Sequence, residues 1–231
     1  IALLAKGLSR KYAGSGIRGR FGADGFEGSS IDFYKGGFLR SNRTDYKPLE
    51  ADFEAALDQS VTGLTDGVKD MAASLNLGTK ALEGFTSEGF TLWTNGKSQE
   101  KIQEELQARI EETGAEMAEL VLGTDRFSRA GETALDTLGR LSGSLSAVRR
   151  AAGSPGFAFS AVSRSGGVAA SQLVDLFGGA EAMAGSVSAY FGAFYSEGER
   201  TEVILRRLRE EFGELGVAMP ASRDGFPELA E

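Results

Sequence analysis

The chain has 231 residues, 41% of them apolar, a formal net charge of −8, and neither cysteine nor histidine. The apolar fraction suits one large or two small globular domains. The two missing residue types exclude disulfides, thiolate metal sites, thiol nucleophiles, a histidine base and histidine zinc ligation, and the acidic balance speaks against a general nucleic-acid coat.

Charge is unevenly placed. Residues 1–48 carry nine Lys/Arg against four Asp/Glu, residues 49–124 five against fifteen, and residues 125–231 eleven arginines, no lysine and fourteen acids. An all-arginine segment suits bidentate pairing at interfaces. No apolar run approaches the roughly 20 residues that span a bilayer. The chain opens on Ile1, and its last residues, "FPELAE", read as the start of a helix, so a longer parent chain is expected.

Residues 1–29 contain "YAGSGIRGRFGADGFEGSS". Glycine supplies unusual backbone angles, so this stretch reads as a loop or a set of tight turns serving as a docking segment. It has no Gly-Lys-Ser/Thr of a P-loop and no strand-flanked dinucleotide fingerprint. In "SIDFYKGGFLRSNRTDY" the "KGG" is hairpin-turn chemistry, which predicts strands at about 30–35 and 38–41. Leu49, Phe53, Leu57, Val61, Leu64, Val68, Met71 and Leu75 then recur at steps of three and four, one helical stripe, with Pro48 at its start and Asn76 and Gly78 at its stop. "FTSEGFTLWTN" alternates and is rich in β-formers, predicting a strand at about 86–94. The next helix follows Ser98 as N-cap and buries Ile102, Leu106, Ile110, Met117, Leu120 and Val121. Residues 30–123 thus read as a small β-β-α-β-α domain with helices over one sheet face.

Beyond Gly123 the pattern is helical. Ala134, Leu138, Leu141, Leu145 and Val148 form the seam of a helix over 125–150, and a Gly/Ser/Pro loop follows at about 151–168. Helices are expected at about 169–177 and 180–195, the latter with Met183, Val187, Phe191 and Phe194 on one face. In "YFGAFYSEGER" the aromatic helix ends and Ser196 with Glu199 supplies the capping box of another, over about 197–214, with Ile204, Leu208, Phe212 and Leu215 facing a core. The two helices read as arms of a helical hairpin. The fold class expected for the whole is mainly helical α+β.

Two C-terminal blocks carry a family pattern: "TDRFSRAGETALDTLGRLSGSLSAV", then "LVDLFGGAEAMAGSVSAYFGAFYSEGERTEVILRRLREEFGELGVAMPASRDGF". The order of motifs, an "F-R-GE-L-TL-RL" helix, a "D-FGG" helix ending in "SAYF--FYSE-E", a further helix and "G-AMP-SR-GF", resembles the C-terminal part of tailed-bacteriophage tape measure proteins over about residues 124–226. The earlier "GSGIRGRFGADGFEG" and "FYKGGFLRSNRTDY" resemble what precedes it there more loosely. Pro227, where family members continue into a helix, is a departure, and the long heptad-rich ruler region is missing.

The resemblance implies a virion protein of the tail lumen near the tip, made in the host cytoplasm, that organises tail assembly and length and leaves ahead of the genome. It also implies three copies, tail assembly chaperones, and contact with tail tube, distal tail and hub proteins. The host membrane is a further candidate contact during ejection. No enzymatic activity, cofactor, metal or specific nucleic acid is implied. The expected hub-facing surface comprises Phe21, Phe26, Phe33, Tyr34 and Phe38 with Arg18, Arg20, Arg40 and Arg43, although half of these rings read equally well as core. Two other readings stay open. A cell-wall-degrading module would have to use carboxylates such as Glu100, Glu104, Glu105, Glu111 and Glu112. A membrane-active segment would lie within residues 151–195, which are rich in glycine and aromatic residues.

Overall fold

The computed structural model describes residues 10–37, 40–123, 127–152 and 163–214. Its strands are β1 (Lys11–Gly22), β2 (Gly25–Lys35), β3 (Arg43–Lys47) and β4 (Phe90–Trp93). Its helices are α1 (Ala51–Ser74), α2 (Gln99–Leu122), α3 (Ala134–Ala152), α4 (Arg164–Leu176), α5 (Ala180–Phe194) and α6 (Glu197–Glu214), with a 3-10 turn at Lys80–Leu82. The fold is mainly helical α+β. The chain divides into two compact units, residues 1–139 and 140–231, so the division falls inside α3 rather than at the expected Gly123.

The glycine-rich opening is where the fold departs most from expectation. Residues 11–29 are not a loop: β1 and β2 form a long antiparallel hairpin around the two-residue turn Ala23–Asp24. Three strands therefore precede the first helix, and the sheet order is β3-β2-β1-β4, antiparallel throughout. The "KGG" segment does turn the chain, but the next strand begins only at Arg43, with Arg40 in a bend and Phe38 outside the described residues. β4 is shorter than expected, and Thr86 adds only an isolated bridge to Gly22.

The physical reason for strands here is a steric exchange between glycine and phenylalanine. Gly19 and Gly28 are cross-strand partners, and the Phe26 ring lies over both. A Cβ at Gly19 would stand 2.4 Å from that ring, and one at Gly28 2.2 Å. Glycine in a strand marks close approach by a neighbour as well as a turn. Phe26 then joins Phe21, Phe90, Ile17 and Leu92 on the sheet face that Leu57 and Val61 of α1 and Leu106 of α2 cover. Phe21 and Phe90 lie 5.1 Å apart between ring centroids.

Both long helices follow their stripes, except that Leu120 of α2, expected in the buried face, is 46% exposed. Leu57, Val61, Val68 and Leu75 of the α1 stripe are buried. Ser98 Oγ accepts from Lys101 N at 3.3 Å, capping α2, and Gly123 ends it with φ 64°. In the residues before α3, Thr133 and Asp136 exchange bonds, Asp136 N to Thr133 Oγ1 at 3.1 Å and Thr133 N to Asp136 Oδ2 at 3.0 Å. That reciprocal cap starts the helix at Ala134, nine residues later than expected, while its seam of Leu138, Leu141, Leu145 and Val148 is buried.

In the second unit, residues 153–162 of the expected Gly/Ser/Pro loop lie outside the described residues, and the helix after it starts earlier, at Arg164, because Ser163 caps it. The capping box at the start of α6 forms: Ser196 N donates to Glu199 Oε2 at 2.8 Å. Met183 and Phe191 of α5 are buried, whereas Phe194 is 72% exposed. α5 packs against α4, and among the described residues no comparable packing joins α5 to α6 as hairpin arms. Ile204 and Leu208 of α6 are exposed rather than core, and Leu215 lies outside the described residues.

Candidate docking face

Antiparallel registry assigns each strand residue to a face. Opposite the helix-covered face, one row runs across all four strands: Trp93, Gly16, Ile31 and Tyr46 are successive partners on β4, β1, β2 and β3. The next row places Phe33 between Gly14 and Thr44. On β1, a Cβ at Gly16 would stand 2.5 Å from the Leu92 carbonyl oxygen and one at Gly14 2.8 Å from Asn95 Oδ1, so β4 approaches β1 closely there. Phe33 and Trp93 meet edge to face at 5.8 Å, and Ile31 in the same face is buried. Trp93 is 42% and Tyr46 58% exposed.

Arginine borders the aromatic patch. Arg18 Nη1 donates to the Tyr46 hydroxyl at 3.0 Å, and no carboxylate among the described residues pairs with it. Arg20 on the same strand is tied to Glu27 at 2.5 Å. An aromatic platform edged by an arginine that no carboxylate among the described residues pairs with has the composition of protein contact surfaces, where tyrosine, tryptophan and arginine dominate.

The residues expected at the docking surface are thus divided. Arg18, Arg20 and Phe33 share this outer face, whereas Arg40 is exposed in the bend before β3 and Arg43, the partner of Tyr34, lies on the other side of the sheet, engaged with Asp45. Phe21 and Phe26 belong to the core, because their position in the hairpin turns them towards α1 and α2. Tyr34 turns to the other side as well, edge to face with Tyr12 at 5.7 Å. Trp93, Tyr46 and Ile31 were missed. The alternation in "RTDYK" and "FTLW" carries the signal for them once the first strands are read as strands.

Nucleophilic and acid–base chemistry finds little support in the geometry. Ser15 Oγ donates to Asp32 Oδ1 at 2.6 Å, and Lys47 Nζ donates to Asp32 Oδ2 at 2.6 Å. Lys47 first and Ser15 second hold the Asp32 carboxyl below its usual value, which makes it a poor base for Ser15. Among the acids of α2, Glu104, Glu105 and Glu112 are paired with Lys101, Lys97 and Arg109. Glu100 is lowered by its own backbone N–H and by Ser98, opposite to what a general acid needs. Glu116 is raised, chiefly by burial and then by Glu112, Glu88 and Glu119. The pocket beside it holds about 50 Å³, room for a water or two and not for a sugar ring. No group of acids among the described residues is arranged to hold a metal ion, and no described helix is long and apolar enough to cross a membrane.

Compared with known protein families, curated proteins and solved structures, the chain matches none.

Proposed function

We propose that this chain is a structural and assembly component of a phage tail, the tip-proximal segment of a tape measure protein, and not an enzyme. The motif order over residues 124–226 is what brings the family into consideration. The structural observation that carries the docking part of the reading is the outer sheet face, where Trp93 and Tyr46 stand exposed beside Phe33 and Arg18. Its partner in this reading is a distal tail or hub protein. Tail tube protein and assembly chaperones are the other partners, three copies are used, and the segment is released with the genome.

Arg18→Glu combined with Trp93→Ala tests this in the phage that encodes the chain. Both side chains lie at the surface, so the protein should accumulate and stay folded while intact tails fall at least about tenfold, the scale of one lost hot-spot residue or more. Arg40→Glu with Arg43→Glu should act in the same direction. Normal tail numbers from the first double variant would remove this face as the docking site, and normal numbers from the second would remove the arginines around the start of β3.

A further inference from the structure

Charge on the outer sheet face is one-sided, although the chain as a whole is acidic. Strand alternation places Lys11, Arg18 and Arg20 of β1 there, with Glu27 and Lys35 of β2. The outward residues of β3 and β4 are uncharged. Glu27 is thus the single acid of the four strands on this face, and Arg20 already holds it at 2.5 Å. Neither Arg18, Lys11 nor Lys35 has a carboxylate partner among the described residues. On the helix side of the sheet the strand cations are matched, Arg43 by Asp45 and Lys47 by Asp32. The unmatched strand charge is therefore confined to the outer face.

Two of these cations oppose one another. Lys11 and Lys35 are direct cross-strand partners, and both are exposed. Like charges in that position destabilise a strand pair, and an anion lying between them would remove the conflict. The rings lie between the lysines and Arg18. From Ser29, the partner of Arg18, to Lys35 is six residues along β2, about 20 Å at ~3.4 Å per residue. Ile31 and Phe33 fall within that span, with Trp93 and Tyr46 on either side in the Ile31 row. An extended segment of about seven residues laid along the strands would cover the rings with its centre. Its ends would reach Arg18 and the lysine pair.

We propose that this face takes an acidic segment of its protein partner, extended, with carboxylates at both ends and apolar side chains between them. The inference names the chemistry of the partner and rests on the reading of this face as a docking surface. Arg18 binds one terminal carboxylate, which its fork geometry suits. Lys11 and Lys35 share the other. The apolar centre covers Trp93 and Tyr46, the anchoring rings.

Trp93 is the chain's single tryptophan, so its emission reports occupancy of this face. The full chain is titrated with a short synthetic peptide that has glutamates at both ends and leucine and phenylalanine at its centre. Emission should move to shorter wavelength, with half-saturation near ~10⁻⁴ M, the range of weak interfaces. The same peptide with glutamines should bind about fivefold more weakly, as the loss of several exposed charge pairs implies, and salt should erase the difference. Lys11→Glu combined with Lys35→Glu should reverse the preference, weakening the glutamate peptide and accepting one with lysines in place of glutamates. That gain also shows that the variant is folded. An unchanged emission would overturn the proposal, as would equal affinity for the glutamate and glutamine peptides. A stronger response to an oligothymidylate would overturn it too, giving the rings to single-stranded nucleic acid. The two readings fail separately. No peptide binding, with tails lost in the Arg18→Glu Trp93→Ala variant, overturns the acidic partner alone. Peptide binding, with normal tails from that variant, upholds the acidic chemistry and removes only the role of the face in tails.

Discussion

Gly28 shows how one missing methyl can shape a sheet. The backbone at Gly19 and Gly28 lies directly under the Phe26 ring, and an added Cβ would also stand 2.7 Å from the carbonyl oxygen of Glu27 or Arg18. Gly28→Ala should therefore cost about 1–3 kcal/mol, the range for overpacking a filled site. Urea unfolding reads it as a lower midpoint at unchanged slope, and an unshifted midpoint would mean that Phe26 does not sit there. Glu116 makes the opposite kind of prediction. Its carboxyl is raised in the folded chain by burial and by neighbouring acids. A raised acid favours folding below its unfolded value and loses that contribution as pH rises through the folded one. Glu116→Gln should thus stabilise the protein at neutral pH, within the ~0.5 kcal/mol typical of surface changes, and leave it unchanged in acid. Melting curves at the two pH values check this, and equal gains at both would remove the charge as the cause.

The elements differ in how openly the sequence declares them. Caps and stripes are local, so α1, α2 and the start of α6 could be read from Leu57 to Leu75, from Ser98 and from Ser196 with Glu199. Ser98→Ala should cost about 1 kcal/mol through the lost N-cap bond, measured as a fall in thermal midpoint. No change would mean that the 3.3 Å bond contributes little. The β1–β2 hairpin was not legible, because its glycines make sense only with Phe26 across the strand, and that contact is set by pairing rather than by neighbours in sequence. The docking face inherits the same difficulty. Arg18 and Phe33 were identified by composition, whereas Trp93 and Tyr46 join them only when four strands stand in register. At the C-terminal end the error ran the other way: Ile204 and Leu208 have the spacing of a buried stripe, yet both are exposed. Periodicity identifies an apolar face without identifying what covers it.

At the scale of the whole molecule, acid and base are separated by layer. The sheet-bearing residues 1–48 are net basic and the residues through α1 and α2 strongly acidic. For the aromatic outer face, the proposed partners are the distal tail and hub proteins of the tail reading. That reading also places the chain in the particle, and this is its most exposed point. Immunogold labelling of purified virions with an antibody raised to residues 125–231 therefore tests it most directly, before and after DNA release. The account predicts label at opened tail tips and depletion of the chain from emptied particles. Label retained in emptied tails would make the chain a fixed tip component, and absence from virions altogether would contradict the account.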